Sequence, residues 1–231
     1  MTLLLLIRHG ENDFMLRRLT GRTAGISLNA KGRQQAQMLA DALTHAPLQA
    51  IYASPLERAV ETAQPLAAAH GLEIQVRPAL IEVDYGRLQG RTYKQLARIN
   101  LWKILLEQPS QIRFPEGETF AEVQQRVVTE LDSLVRVWQP AEDINNPAKE
   151  KKPEEAVIAV VVHADIVRLA LAHFLNMQLD DFLRLVVGPA SISMVQSNGR
   201  SLPRVICINQ TANFSWHEPK PLKKRSKAIP D

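Results

Sequence analysis

Leu3-Leu4-Leu5-Leu6-Ile7-Arg8-His9-Gly10 is the stretch on which the fold turns. An unbroken apolar run of this length reads as a strand buried on both faces, the kind found in parallel sheets. In an open α/β sheet, ligands bind outside the carboxyl ends of the strands. Arg8-His9-Gly10 therefore stands where chemistry is expected. A cation, an imidazole and a permissive glycine at that edge suit a phosphate. Three residues recur by chance, so their meaning depends on whether the chain also supplies a second histidine, another arginine and a proton donor.

Working outward, a second apolar run at 157–162 is followed by His163, as the first is followed by His9. Between and beyond these runs, apolar spacing predicts a helix over 29–43, a short strand at 50–53 and a strand at 74–76. A helix should start at Ser54-Pro55-Leu56-Glu57, with Ser54 as N-cap, Pro55 in the first helical position and Glu57 at the capping-box position. Longer helical patterns cover about 93–107 and 120–138, with 109–117 as the loop between them. A helix over 166–175 and strands at 191–196 and 204–208 complete the pattern. Strands alternating with helices predict a three-layer α/β/α sandwich with a mostly parallel central sheet.

The bulk properties agree. The chain has 231 residues, 45% hydrophobic and 23% charged, as in an ordinary soluble globular protein. Cys207 is the only cysteine, so no intramolecular disulfide forms and a reducing compartment is expected. No basic n-region or cleavage site precedes the first apolar run, which is far too short to span a bilayer. The reading is a cytoplasmic protein with no membrane partner. Of the formal net charge of +4, most lies in the tail at 218–231, where Lys220, Lys223, Lys224, Arg225 and Lys227 face only Glu218 and Asp231. The body is near neutral, which argues against nucleic acid as a partner. The tail, with Pro219, Pro221 and Pro230, is expected to be disordered and solvated. The polar segment 140–155, without periodicity, is expected to be a surface insertion.

Four further side chains join His9. If the two long apolar strands are parallel neighbours, His9 and His163 meet at one edge, and the helix start after His163 adds N–H donors for an anion. Arg58 falls in the first turn of the helix after the strand at 50–53. A cation there opposes the helix dipole, a local mismatch that favours a bound anion. Arg8 and Arg58 offer planar forks for phosphoryl oxygens. Glu82, in Glu82-Val83-Asp84-Tyr85-Gly86, is the candidate proton donor, with Glu11 and Asp84 as rivals. His45, His70, His173 and His217 lack such context. Trp102, Leu105 and Leu106 are expected to fill core rather than line a substrate cap.

Taken in order, these motifs resemble the histidine phosphatase superfamily, which includes cofactor-dependent phosphoglycerate mutase. The matching segments are Arg8-His9-Gly10-Glu11, Ser54-Pro55-Leu56-Glu57-Arg58-Ala59 with Thr62-Ala63, Glu82 with Tyr85-Gly86 and Gly90, Glu116-Gly117-Glu118-Thr119-Phe120 with Arg126-Val127, and His163. The likeness runs from Leu3 to about Asn213. It implies one domain over 1–217 with a helical cap at about 86–138 over the active site. It also implies in-line attack by His9 to give a phosphohistidine and protonation of the leaving oxygen by Glu82. Arg8, Arg58 and His163 would hold the phosphoryl oxygens, with no metal or cofactor, and the substrate would be a small phosphorylated metabolite.

The chain departs from the pattern in places. Many members carry asparagine six residues after the first histidine. Met15 stands there, leaving Asn12 as a substitute contact. Thr20-Gly21 resembles a substrate-contact pair of the mutases at shorter spacing. The second histidine, usually followed by glycine, precedes Ala164, which still permits a backbone contact. Phosphoglycerate mutases also grip the substrate carboxylate with a lysine and an arginine pair. Tyr93 stands near the lysine's place, and the cap region has no Arg-Arg pair. A phosphatase is therefore expected, the alternatives being a phosphoglycerate mutase-type phosphomutase and a non-catalytic phospho-ligand or protein-binding module.

Overall fold

In chain order the elements are β1 (Thr2–Arg8), α1 (Ala30–Ala42), β2 (Leu48–Ala53), α2 (Glu57–His70), β3 (Ile74–Val76), α3 (Tyr93–Leu96), α4 (Asn100–Glu107), α5 (Phe120–Trp138), β4 (Ala156–Val162), α6 (Ala164–Phe174), β5 (Ile192–Ser197) and β6 (Arg204–Gln210). They come from a computed structural model that describes residues 1–139 and 155–211. The insertion expected at 140–155 lies, Glu155 apart, outside the described residues, as do His217 and the tail at 218–231. Among the described residues no helix is long and apolar enough to cross a membrane.

The six strands form one sheet in the order β3-β2-β4-β1-β5-β6. The first four are mutually parallel. β5 runs antiparallel to β1, and β6 antiparallel to β5. Every residue of β4 is buried, as its apolar run requires for a strand covered on both faces. Alternation across the pleat divides the core in two. Leu4 and Leu6 of β1 and Ile158, Val160 and Val162 of β4 pack on the side of α5 and α6. Leu5, Ile7, Val157, Ala159 and Val161 pack on the side of α1 and α2. The fold is thus the expected three-layer α/β/α sandwich.

The central register positions the site. Arg8 of β1 lies opposite Val162 of β4, so His9 and His163 leave adjacent parallel strands at the same level. The His9 N–H donates to the Val162 carbonyl at 2.8 Å. Beyond β1 the chain passes close under the start of α1. A Cβ on Gly10 would stand 2.7 Å from the Gly32 carbonyl oxygen, and one on Gly32 would stand 2.0 Å from that of Glu11. Only glycine permits this approach.

Three local expectations are corrected. First, α2 begins at Glu57 with Leu56 in the N-cap position, and that cap has no side-chain hydrogen bond. Ser54 lies too early to cap, and Glu57 instead accepts from the Gly25 N–H at 2.9 Å. Second, the helix expected over 93–107 is broken in two. Ile99, a β-branched residue with extended backbone (φ −99°, ψ 130°), interrupts it. The short α3 is held by a Thr92–Gln95 capping box. Third, α6 starts two residues earlier than its apolar spacing indicates, with His163 itself in the N-cap position. α5 matches its expected span and carries a Thr119–Glu122 capping box.

Candidate active site

His9, 5% exposed, sits at the carboxyl end of β1. Its Nδ1 lies 2.7 Å from the Gly10 carbonyl oxygen. That carbonyl can only accept, so Nδ1 carries the proton and Nε2 keeps its lone pair. The peptide after His9 is fixed in turn, because the Gly10 N–H donates to Thr62 Oγ1 at 2.9 Å and Thr62 donates to the Arg58 carbonyl at 2.7 Å. Burial, with Arg58 and Arg8 close by, drives the imidazole well below its usual protonation range. His9 is therefore neutral near neutral pH.

His163 is fully buried, with its ring centroid 5.2 Å from that of His9. Its Nε2 pairs with Ser54 Oγ at 2.7 Å. Its Nδ1 has no hydrogen-bond partner among the described residues and stands 4.0 Å from Glu82 Oε2. Burial and the neighbouring arginines also hold His163 well below its usual protonation range. Its contact with Glu82 is thus not an ion pair near neutrality.

The two guanidiniums have acceptors without countercharges. Arg58 is fully buried and donates to the carbonyls of Gly21 at 2.7 Å and Thr23 at 3.5 Å. Arg8 donates to the Val187 carbonyl at 2.6 Å and to Met15 Sδ at 3.5 Å. The Nε of each is buried and finds no hydrogen-bond partner among the described residues. Such groups are costly unless something anionic completes them.

Glu82, 8% exposed, accepts the Val83 N–H at 3.0 Å through Oε1. Burial, reinforced by the charge of Asp165, pushes its carboxyl up to about 7. The two rival carboxylates stand elsewhere. Glu11 lies 2.8 Å from Lys31 Nζ, is held below its usual range chiefly by that contact, and does not line the cavity. Asp84 faces Arg22 at 3.4 Å, also outside the cavity.

These groups meet in a cavity of about 310 Å³. Of the residues singled out in the sequence, Arg8, His9, Asn12, Thr20, Gly21, Glu82 and Ala164 line it. Arg58 and His163 stand behind that lining. Asn12 Oδ1 is occupied by the N–H groups of Phe14 and Met15, each at 3.0 Å, so it fixes the loop. Trp102, Leu105 and Leu106 all line the cavity; Leu105, 5% exposed, is also core as expected and Trp102 packs against that core, while Leu106 is 59% exposed. Among the described residues no group of three or more His, Cys, Asp or Glu is arranged to hold a metal ion.

Several supporting side chains escaped the sequence reading. Ser54 looked like a helix cap, and its contact with His163 depends on strand register. Thr62 stood in a matched motif without a role. Arg126 and Arg22 grip the loop that carries Glu82. Arg126 donates to the carbonyls of Ala79, Ile81 and Glu82 at 2.7, 2.8 and 3.1 Å and pairs with Glu118 at 2.9 Å, while Arg22 Nε donates to the Glu82 carbonyl at 2.9 Å. Asp165 takes the Tyr85 hydroxyl at 2.5 Å and Arg168 at 2.7 Å. A carboxylate two residues after His163, in the first turn of a helix, was the available signal.

Fold and site together define a three-layer α/β protein with two imidazoles, two guanidiniums and a protonatable carboxyl gathered at one sheet edge. Residues 4–211 match the histidine phosphatase superfamily (branch 1), and the chain belongs to that superfamily. It is 27% identical over 208 residues to phosphoserine phosphatase 1 of Hydrogenobacter thermophilus, covering 87% of this chain and 89% of that one. It is also 27% identical over 197 residues to a 2,3-bisphosphoglycerate-dependent phosphoglycerate mutase of Thermoplasma acidophilum, covering 84% and 87%. The crystal structure of phosphoserine phosphatase from Entamoeba histolytica in complex with 3-phosphoglyceric acid superposes with a TM-score of 0.74 at 25% identity, covering 91% of this chain and 98% of that one.

Proposed function

We propose that the protein is a phosphatase that hydrolyses a small phosphomonoester through a phosphohistidine on His9. The observation that carries this reading is the fixed tautomer of His9. Its Nδ1–H is held by the Gly10 carbonyl at 2.7 Å, which leaves Nε2 as a neutral nucleophile beside Glu82 and Arg8 in the cavity. Nε2 attacks phosphorus in line, a P–N bond forms and the ester P–O bond breaks. The Glu82 carboxyl gives its proton to the departing oxygen. The resulting carboxylate takes a proton from water, the hydroxide attacks phosphorus, and the P–N bond breaks to release phosphate and restore both groups.

Arg8 and Arg58 supply the charge that the dianion lacks in this pocket, which is the main service a protein can offer phosphoryl transfer. In this reading Ser54 donates to His163 Nε2 and Nδ1, 4.0 Å from Glu82 Oε2, keeps its proton. Ala164 and the Thr20-Gly21 segment line the same cavity. Cytoplasmic residence, inferred from cysteine usage, goes with this reading.

One observation favours the mutase reading enough to test it, namely that a phosphoglycerate mutase is as similar to the chain as a phosphatase is. Phosphate release from p-nitrophenyl phosphate and a panel of metabolite monoesters should be measured with the unmodified protein and with His9→Ala. The unmodified protein should release phosphate and become labelled on a histidine. Equal release by both proteins across the panel would sink the proposal. Bisphosphate-primed isomerisation of 3-phosphoglycerate exceeding hydrolysis would favour the mutase.

A further inference from the structure

The cavity has two unlike halves. One end carries His9, Arg8 and Glu82, with His163 and Arg58 behind them. Its outer wall is apolar, built by Tyr93 and Trp102 with ring centroids 5.8 Å apart, together with Leu105, Leu106 and Leu183. The rim exposes large apolar side chains to solvent, Leu16 at 87% and Leu106 at 59%. Leu16 also holds a left-handed backbone (φ 65°), a strained conformation for a leucine. Strain of this kind collects at ligand-binding sites, and exposed apolar surface around a concavity marks a place that takes an apolar partner.

Within this wall Arg168 and Asp165 pair, leaving Arg18 as an exposed cation at the rim. Arg168 spends its guanidinium on Asp165 Oδ1 at 2.7 Å and on the Leu185 carbonyl at 2.9 Å. The other Asp165 oxygen takes the Tyr85 hydroxyl at 2.5 Å. The pair is therefore neutral as a unit, with its carboxylate fixed in the wall beside Glu82. A substrate bearing a second anion would be desolvated against apolar side chains and would face that carboxylate. Arg18 at the rim is the cation it would have to reach.

We propose that the leaving-group half of this site selects phosphomonoesters of uncharged alcohols or phenols bearing an aromatic or branched apolar group, and discriminates against esters whose leaving group carries a carboxylate. The proposal rests on the phosphatase reading for the position of the phosphoryl group. It separates this chain from relatives whose names specify phosphoserine or phosphoglycerate.

The test uses a matched pair, benzyl phosphate and 4-carboxybenzyl phosphate, with n-propyl phosphate as the small reference. Binding to the His9→Ala protein is measured by titration calorimetry. Benzyl phosphate should bind at least about tenfold more tightly than either of the others. Trp102→Ala should remove most of the benzyl advantage, and Asp165→Asn should narrow the gap between benzyl and carboxybenzyl. The same ratios, read as inhibition constants against p-nitrophenyl phosphate hydrolysis by the unmodified protein, stand in if His9→Ala does not fold. The proposal is overturned if carboxybenzyl phosphate binds as well as benzyl phosphate or better, and Arg18→Gln abolishing that binding would name the residue responsible. Phosphate release from benzyl phosphate is followed alongside. Its absence counts against the phosphatase reading, while the binding ratio still judges selectivity.

Discussion

Glu82→Gln separates the proton carried by Glu82 from its shape. Glutamine retains an oxygen for the Val83 N–H, which Glu82 Oε1 accepts at 3.0 Å, and differs little in volume. What disappears is a carboxyl whose proton affinity is raised from an ordinary 4.5 to about 7, by burial first and by Asp165 second. Stability should register this. A group raised on folding contributes stability that is fully present below its unfolded value and lost as pH rises through its folded value. For Glu82 that window runs from about 4.5 to about 7. At 1.36 kcal/mol per unit, the wild type should lose about 2–3 kcal/mol relative to Glu82→Gln between pH 5 and pH 8.

The assay is urea unfolding of both proteins across that range. The difference between the two curves cancels the contributions of His9, His163 and the surface carboxylates, which are common to both. Activity should fall by about 10²–10⁴-fold with a poor leaving group, the usual worth of a positioned acid, and by less with p-nitrophenyl phosphate. In the wild type, kcat/KM should fall as pH rises through about 7, because the donor must be protonated, and Glu82→Gln should lack that limb. Stability curves that stay parallel from pH 5 to pH 8 would refute the claim that Glu82 holds its proton in the folded state.

Two other perturbations test the scaffold. Arg126→Lys keeps a charge but loses the fork that spans three carbonyls and Glu118, so unfolding should become easier by about 1–3 kcal/mol and kcat should drop with little change in KM. Thr62→Val leaves the Gly10 N–H without its acceptor, and calorimetry should show a loss of about 1–3 kcal/mol together with reduced phosphohistidine formation. An unchanged rate of that step would mean that the peptide after His9 is held by other contacts.

The sequence was most readable where one physical signal dominated. The apolar runs that became β1 and β4 pointed to a sheet covered on both faces, and apolar spacing over 120–138 matched α5, whose start the Thr119–Glu122 capping box holds in the structure. Legibility failed where two local solutions compete. Ser54 before proline looks like a helix cap, yet the register of β2 against β4 brings its hydroxyl to His163, a contact made across 109 positions of sequence. The periodicity over 93–107 carried through Ile99, where the backbone turns extended, because a hydrophobic pattern shows which face is buried and not whether the axis continues. Leu105 is core as expected and Trp102 packs against that core, yet both also line the cavity with the exposed Leu106, a double role that apolar character alone does not reveal.

The site's own electrostatics explain why its residues are so poorly paired. Arg8 and Arg58 are buried among carbonyls and one thioether, with no carboxylate in ion-pair contact among the described residues. The groups that could lower their cost are kept neutral, the imidazoles by the same burial and the same arginines, and Glu82 by burial and by Asp165. Ionising Glu82 would partly neutralise the arginines and leave no proton for the leaving group. Protonating either histidine would add a third cation and, at His9, remove the proposed nucleophile. Each neutral form therefore leaves the two guanidiniums without a countercharge in ion-pair contact. On the proposed reading, such a pocket takes a dianion because the dianion would complete both guanidiniums.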